Sequence, residues 1–148
     1  MREIRTTPQA LRYRSLRYCF SAGDTLPLEV ARRWKGRFGL EIHQGYGATE
    51  ACGAISMTPG GAPFPEGTVG RVVWSREVRI VDPETFQPCA PHEPGELLVR
   101  GPHLPTSLLP PPSSYWNKPE ETRRAFLELG GRLWYRIGDI LRMDVDGW

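Results

Sequence analysis

The sequence contains little cysteine and no long apolar run, and both shortages exclude classes of protein. Its 148 residues include three cysteines, Cys19, Cys52 and Cys89. Three is an odd number and no CxxC spacing occurs, so the sequence predicts neither a disulfide framework nor a zinc site. No apolar run approaches the ~20 residues of a membrane-spanning helix, and the N-terminus lacks a signal-peptide core. We therefore expect a reduced, cytoplasmic protein without a membrane span.

A strong excess of either charge is also missing. The 19 basic and 17 acidic side chains give a formal net charge of +2. Arginines are frequent in residues 2–17, but no aromatic or zinc-binding pattern of a nucleic-acid module accompanies them. We interpret this arginine cluster as a solvated face and expect no nucleic-acid partner. The three histidines show no metal-ligand spacing; they are His43, His92 and His103.

Proline and glycine are abundant, with 15 and 16 residues, and they indicate many turns. The first half of the chain has the pattern of a strand, a helix and a second strand. Residues 16–20 and 40–44 are the strand candidates. Between them, Pro27 suits the first position of a helix, apolar side chains recur every fourth residue from Val30, and Gly39 suits a C-terminal cap. This unit is typical of a parallel α/β sheet.

The second half of the chain is predicted to be richer in β-structure. Residues 57–70 form a long loop of glycine and proline, and short β patterns follow. One helix, capped by Asn117, is predicted to run to residue 129, and proline-dense residues 104–114 suit an exposed loop. The fold class is therefore α/β over residues 1–70, leading into a β-rich, barrel-like part over 71–148. The β candidates are 78–81, 96–99 and a hairpin of 133–137 and 140–143 turning at Gly138-Asp139.

The hexapeptide from Gly45 to Glu50, GYGATE, is the most informative stretch. Glycine lets the backbone pass close to a ligand, and Tyr46 offers a flat ring with a polar tip. Thr49 supplies a hydroxyl that can face a phosphate, and Glu50 supplies an oxygen ligand suited to Mg²⁺. These residues favour a nucleotide contact. A glycine-bracketed turn after a strand is the alternative interpretation.

Seven segments occur in order along the chain, and together they resemble one family. They are SAGDTLP, GYGATE, TVGR, GELLVRGP, SYWNKPEET, YRIGDI and DVDGW. Over residues 16–148 the chain resembles the adenylate-forming superfamily, which includes acyl- and aryl-CoA ligases, luciferase-like enzymes and peptide-synthetase adenylation domains. The segments look most like the CoA-ligase branch, with its benzoate-type members.

The resemblance implies a role for each matching residue. Tyr46 would stack on adenine, and Asp139 would accept hydrogen bonds from the ribose hydroxyls. Thr49 would contact the phosphate of AMP, and Glu50 would hold Mg²⁺. The small residues that border the base and the approaching carboxylate would be Ala22, Gly23, Asp24, Gly45, Gly47 and Ala48.

Each of these side chains also has a purely structural explanation. Tyr46 could be a core aromatic, Glu50 a charge at the start of a helix, and Asp139 a hairpin turn residue. Two departures from the family pattern stand beside them. Ile137 occupies a position where the family usually has threonine. The segment from 101 to 115 is longer and richer in proline than usual, and Ser114 replaces a glycine.

The resemblance implies an intact enzyme that uses ATP and Mg²⁺ to activate a carboxylic acid as an acyl-adenylate and passes the acyl group to coenzyme A. The chain lacks the family's phosphate loop and its C-terminal domain with the catalytic lysine. We therefore interpret it as a fragment of the large domain and expect the fragment alone to be inactive. The alternatives are a degenerate, non-catalytic nucleotide-binding or interaction module and a piece of a peptide-synthetase adenylation domain. Unpaired sheet edges would favour self-association.

Overall fold

Two four-stranded sheets and two helices make up the part of the protein that its computed structural model describes, residues 15–104 and 115–148. The elements are β1 (Cys19–Ala22), α1 (Leu28–Phe38), β2 (Ile42–Ala48), β3 (Gly53–Met57), β4 (Arg71–Val72), β5 (Glu77–Val81), β6 (Gly95–Arg100), α2 (Pro119–Arg124), β7 (Phe126–Leu129) and β8 (Arg132–Leu141). The first sheet has the order β1-β2-β3-β4, and the second has the order β5-β6-β8-β7. Neither of the two helices in these ranges is long and apolar enough to cross a membrane.

The predicted strand–helix–strand unit is confirmed. β1 and β2 pair in parallel from Cys19 opposite Ile42 to Ala22 opposite Gly45. Gly39 ends α1 in the left-handed conformation, with φ 66°, as expected for a glycine cap. Pro27 lies just before the first helical residue, and its carbonyl accepts a hydrogen bond from the backbone N–H of Val30 at 2.9 Å.

The motif strand is longer than the sequence suggests. β2 continues past residue 44 to Ala48, so the first four residues of GYGATE are extended and the interpretation of this segment as a turn is wrong. The cause is β3, which pairs antiparallel with β2 across a register irregularity between Tyr46 and Gly47. The β3 segment, GAISM, is short and has no clear alternation of apolar and polar residues, so its pattern does not predict a strand.

This register irregularity brings two backbones into close contact at Gly47. A Cβ atom at Gly47 would lie 2.1 Å from the carbonyl oxygen of Gly53, which no real side chain could occupy without moving the backbone. At Gly45 the nearest atom to such a Cβ would be Cγ of Met57 at 3.8 Å, an ordinary contact. The motif therefore needs glycine at 47 for packing alone, whereas Gly45 has room for a methyl group.

One hydrophobic core connects the two sheets. Ala51 lies in the turn before β3 and Ile55 lies in β3. Both pack with side chains from β6, β7 and β8. Those partners are Leu97, Val99, Phe126, Leu133 and Tyr135, together with Leu104. The second sheet is open within the described residues, with β5 and β7 at its edges, so it is a sheet packed on its neighbour and not a closed barrel.

The predicted hairpin at Gly138-Asp139 is wrong, because β8 runs unbroken from Arg132 to Leu141. Glu96 of β6 faces Ile140 while Leu98 faces Arg136, so the β8 side of the pair carries extra residues. Gly138 lies inside this irregularity with φ 85°. A glycine with positive φ here forms a bulge within a strand, and a Gly-Asp pair does not distinguish a bulge from a turn.

The predicted helix over residues 117–129 is also too long. α2 ends at Arg124, and Phe126–Leu129 forms β7, which pairs with β8. Asn117 has φ 55° and lies before Lys118, the residue at the N-cap, so it does not cap the helix. A short apolar run cannot tell a buried helix from a strand by period, and pairing with β8 decides the matter. The proline-rich stretch lies outside the described residues beyond position 104.

The contact at Gly47 gives a matched pair of substitutions. Gly47→Ala should lower the free energy of unfolding by about 1–3 kcal/mol, the usual cost of overpacking, because the added methyl group meets backbone. Gly45→Ala, two residues away in the same strand, should change it by about 0.5 kcal/mol or less. Urea unfolding followed by tryptophan fluorescence measures both values. Equal stabilities for the two variants would contradict the close approach at Gly47.

Candidate functional site

Two cavities flank the motif strand and share Gly23, Gly45, Tyr46 and Gly47. The first, which we call the Asp139 cavity, has a volume of about 370 Å³. Its other lining residues are Asp24, Thr25, Gln44, Val69, Asp139, Ile140 and Leu141. The second, the Met57 cavity, has a volume of about 440 Å³, and its other lining residues are Phe20, Ser21, Ala22, Ala48, Thr49, Gly53, Ala54 and Met57.

The Asp139 cavity collects most of the side chains that the sequence singled out. The turn after β1 contributes Gly23 and Asp24, β2 contributes Gly45 to Gly47, and β8 contributes Asp139. These segments are far apart in the chain and belong to both sheets. Ala22 and Thr49 instead line the Met57 cavity.

A direct hydrogen bond joins Tyr46 to Asp139. The Tyr46 hydroxyl donates to Oδ2 of Asp139 at 2.5 Å, across a sequence separation of 93 residues. This length is typical of a hydroxyl bound to a carboxylate. Burial, and then the bond to Asp139, raises the pKa of the Tyr46 phenol above its ordinary value. The phenol therefore remains protonated, and a donor, throughout the physiological pH range.

The turn explanation is wrong for Asp139, and the core explanation holds for Tyr46 only in part. Tyr46 is only partly buried: it packs against the core cluster and at the same time lines both cavities. Asp139 is exposed, and it lies within β8 and not in a turn. Ile137, in contrast, packs against the hydrophobic core and does not line either cavity. The isoleucine side chain that replaces the family's usual threonine therefore packs in the interior and not in either cavity.

Thr49 and Glu50 lie in a tight turn at the end of β2, and both are exposed. The N–H of Cys52 donates to the carbonyl of Thr49 at 2.9 Å, and no helix follows, so the interpretation of Glu50 as a helix-start charge is wrong. Nη2 of the buried Arg76 donates to the carbonyl of Ala51, which fixes this turn to the start of the second sheet.

The residues present fit a metal ion only in part. Within residues 15–104 and 115–148, no group of three or more histidine, cysteine, aspartate or glutamate side chains could hold a metal. Glu50 is thus a single carboxylate in an exposed turn. Mg²⁺ commonly takes one or two carboxylates and completes its shell with substrate phosphates and water. A lone Glu50 is consistent with an ion that arrives with a polyphosphate, and not with a resident metal centre.

Sequence reasoning missed several residues of the Asp139 cavity, and Gln44 explains why. Gln44 is buried; its backbone N–H donates to Oγ1 of Thr58 at 2.8 Å, and its Nε2 donates to the carbonyl of Thr68 at 2.9 Å. These bonds anchor the long loop beside β2 and bring Val69 to the cavity wall. The available signal was a glutamine directly before the glycine-rich motif, in a predicted strand. The other missed residues are Thr25, Ile140 and Leu141.

The geometry provides three chemical elements in one place. Tyr46 gives an aromatic ring, the glycines of β2 and the turn at Gly23 give bare backbone, and Asp139 gives an exposed carboxylate. A ring beside open backbone can bind a flat heterocycle. A carboxylate beside the ring can accept hydrogen bonds from hydroxyls. The turn that carries Thr49 and Glu50 lies at the end of the same strand.

A model of the AMP-binding enzyme family matches residues 2–107. This range covers most of the chain and includes the motif strand and both cavities' first-sheet residues. The chain therefore belongs to the AMP-binding enzyme family, and it is similar to part of the length of acyl- and aryl-CoA ligases.

Curated relatives agree with this assignment. The chain is 34% identical over 130 residues to a long-chain-fatty-acid–CoA ligase of Escherichia coli O157:H7, which covers 86% of this chain and 21% of that protein. It is also 34% identical over 133 residues to a benzoate–CoA ligase of Thauera aromatica, covering 90% of this chain and 23% of the relative. The chain thus spans about a fifth of the length of the curated relatives that it matches.

Solved structures are similar over the same extent. A benzoate CoA ligase from Burkholderia xenovorans LB400 superposes with a TM-score of 0.72 at 33% identity, over 90% of this chain and 24% of the other. An anthranilate CoA ligase in complex with anthranoyl-AMP gives 0.73 at 30% identity, over 90% and 23%. The mixed α/β fold with two sheets is therefore shared with adenylate-forming enzymes.

The bond between Tyr46 and Asp139 should be visible in the titration of the phenol. Asp139→Asn keeps the acceptor but removes the charge, so the pKa of Tyr46 should fall while staying above the ordinary value of about 10, because burial is the larger cause. Since the raised pKa belongs to the folded state, stability from this group is complete below about pH 10 and is lost as the pH rises further.

Phenolate absorbance as a function of pH measures this effect, and Tyr46→Phe identifies which of the five tyrosines is responsible. Tyr115→Phe is the matched control, since it also removes a bonded hydroxyl, 2.9 Å from that of Tyr135. A Tyr46 titration that is the same in the wild-type chain and in Asp139→Asn would show that the two side chains do not interact in solution.

Proposed function

We propose that this chain is the nucleoside-binding part of an ATP-dependent acid–CoA ligase, and that the Asp139 cavity holds the adenosine of ATP or AMP. The observation that carries the proposal is the convergence of Tyr46 and Asp139, from two different sheets, on one cavity. Membership in the AMP-binding enzyme family supports the choice of nucleotide. The intact protein would join a carboxylic acid to coenzyme A by way of an acyl-adenylate.

In this proposal the base lies between the Tyr46 ring and the backbone of the turn after β1. Gly23 and Asp24 line the Asp139 cavity at that turn and are exposed, so a flat base can lie against its edge, whereas Ala22, the last residue of β1, lines the Met57 cavity. The carboxylate of Asp139 accepts hydrogen bonds from the ribose hydroxyls. An ionised acceptor forms stronger hydrogen bonds with hydroxyls than a neutral amide does, and this suits the recognition of a diol.

Thr49 and Glu50 would act at the phosphates. The Thr49 hydroxyl donates to an oxygen of the α-phosphate, and Glu50 contributes one oxygen to the Mg²⁺ ion that accompanies ATP. Positive charge beside the α-phosphate stabilises the negative charge that develops as a carboxylate displaces pyrophosphate. The hydrogen bond from Arg76 to Ala51 fixes the turn that carries both residues.

The Met57 cavity is our candidate for the acid. It touches the same glycines as the Asp139 cavity, so an acid held there meets the nucleotide at Gly45 to Gly47. Its lining is largely apolar, with Phe20, Ala54 and Met57, which suits an acyl or aryl group. Relatives named for fatty acids, benzoate and anthranilate span this class. The three free cysteines are consistent with a reduced, cytoplasmic setting.

We further propose that the boundary near residue 70 separates two structural parts that work as one unit. Residues up to 70 supply the base platform, and residues from 71 onward supply the ribose acceptor. Because both parts contribute to one hydrophobic core, neither half should bind a nucleoside alone. Self-association through β1, whose outer edge has no partner strand among the described residues, stays a prediction.

Removing the Tyr46 ring tests the proposed function. Tyr46→Ala should weaken AMP binding to the chain by about 1–3 kcal/mol, the usual contribution of one base stacked on an aromatic side chain. Trp74→Ala is the matched control, since Trp74 is almost fully exposed and lines neither cavity. Isothermal titration calorimetry gives both affinities. Unchanged AMP affinity in a folded Tyr46→Ala chain would exclude the stacking role.

The metal role of Glu50 has its own test. Glu50→Gln keeps the shape and one acceptor oxygen but removes the charge that Mg²⁺ requires. We expect the variant to lose the Mg²⁺-dependent gain in ATP affinity while binding AMP without metal as the wild type does. Glu84→Gln, the same change at an exposed turn, is the control. Equal losses in both assays would instead assign Glu50 a structural role.

A further inference from the structure

The two side chains that the proposed function assigns to base and sugar are bonded to each other before any ligand is present. The Tyr46 hydroxyl donates to Oδ2 of Asp139 at 2.5 Å, whereas Oδ1 accepts no hydrogen bond from residues 15–104 or 115–148. One carboxylate oxygen is therefore held by the protein and the other has no protein partner in these ranges, while Asp139 itself lines the cavity.

Asp139 needs such a partner because its surroundings do little to fix it. Its side chain is exposed, and Gly138 beside it has φ 85° within an irregular stretch of β8. An exposed aspartate on a strand can occupy several rotamers. Tyr46, in contrast, packs against the core on β2, so its hydroxyl is a fixed point. The hydrogen bond from the fixed Tyr46 hydroxyl therefore restricts the rotamers that the Asp139 side chain can occupy.

We infer that the Tyr46 hydroxyl is a positioning group for the ribose-binding carboxylate, so that the ring of Tyr46 binds the base and its hydroxyl sets the selectivity for ribose over deoxyribose. By holding Oδ2, the hydroxyl presents Oδ1 to the sugar hydroxyls. The inference rests on the proposed function, because it requires adenosine in the Asp139 cavity. It goes beyond that function by giving two separable roles to one side chain.

The chemistry of the phenol supports this assignment. Phenylalanine or tryptophan would provide a stacking surface equally well, but neither carries a hydroxyl at this position. Burial and the bond to Asp139 raise the pKa of Tyr46, so the phenol keeps the proton that it donates. The bond also connects the two sheets across the cavity, which sets the distance between the base platform and the sugar acceptor. Such preorganisation lowers the entropy lost on binding.

The test compares Tyr46→Phe with the wild-type chain on three probes: AMP, 2′-deoxy-AMP and 3′-deoxy-AMP. In the wild type we expect AMP to bind more tightly than either deoxynucleotide. Tyr46→Phe should reduce this ribose preference by about fivefold, the effect of one net hydrogen bond, while its affinity for the deoxynucleotides, which keep one of the two hydroxyls, falls by less. Retained deoxynucleotide binding also shows that the variant is folded and keeps its stacking surface.

A double-mutant cycle separates positioning from direct contact. Asp139→Ala should abolish the ribose preference, and in that background Tyr46→Phe should have no further effect on it, because the hydroxyl has no carboxylate left to orient. Tyr115→Phe, which removes a bonded hydroxyl outside both cavities, should leave the ribose preference unchanged.

The other outcomes would overturn the inference. A full ribose preference in Tyr46→Phe would show that Asp139 needs no positioning, and tighter AMP binding in that variant would show that the hydroxyl competes with the sugar. If the wild-type chain binds AMP and the deoxynucleotides equally, the ribose role fails while base binding stands. If it binds none of the three, the proposed function itself fails, and the inference with it.

Discussion

The hydrophobic core that the two sheets share is the constraint on which the site depends. Ile55 and Ala51 on one side pack with Leu97 and Tyr135 on the other, so the first sheet cannot shift without disturbing the second. The Asp139 cavity lies across this junction, with its aromatic ring on β2 and its carboxylate on β8. A rigid, close-packed core therefore holds in register two functional groups that no local interaction in the chain could bring together.

The local features of the first half follow from the sequence alone. The parallel pair of β1 and β2, the helix between them and its glycine cap are all encoded in short patterns, because helix period and turn chemistry act within a few residues. The motif residues could also be selected from the sequence, by residue type and order. The sequence did not predict the type of secondary structure correctly where pairing with a distant strand decides it. Pairing with β3 holds the first part of the motif in an extended conformation. Pairing with β6 makes β8 a continuous strand through Gly138, where the sequence had predicted a hairpin turn.

The difference between local sequence patterns and contacts between distant residues also explains which parts of the site could be predicted. Tyr46 and Asp139 were selected by residue type and order, but their hydrogen bond links positions 93 residues apart and has no local signature. Gln44 and Val69 reach the cavity through a loop anchored by side-chain bonds to backbone. The approach of the Gly53 backbone requires glycine at 47 whether or not a ligand is bound. Each of these features is a property of tertiary contact, so a single sequence cannot display it.

Binding of adenosine in one cavity formed by both sheets can be mapped by nuclear magnetic resonance when AMP is added to the ¹⁵N-labelled chain. AMP should shift the backbone amides of three separate segments together: 23–25 after β1, 45–47 in β2 and 139–141 in β8. The shifts should saturate at the same AMP concentration, since one ligand causes them all. Shifts confined to one sheet, or centred away from these segments, would contradict the account.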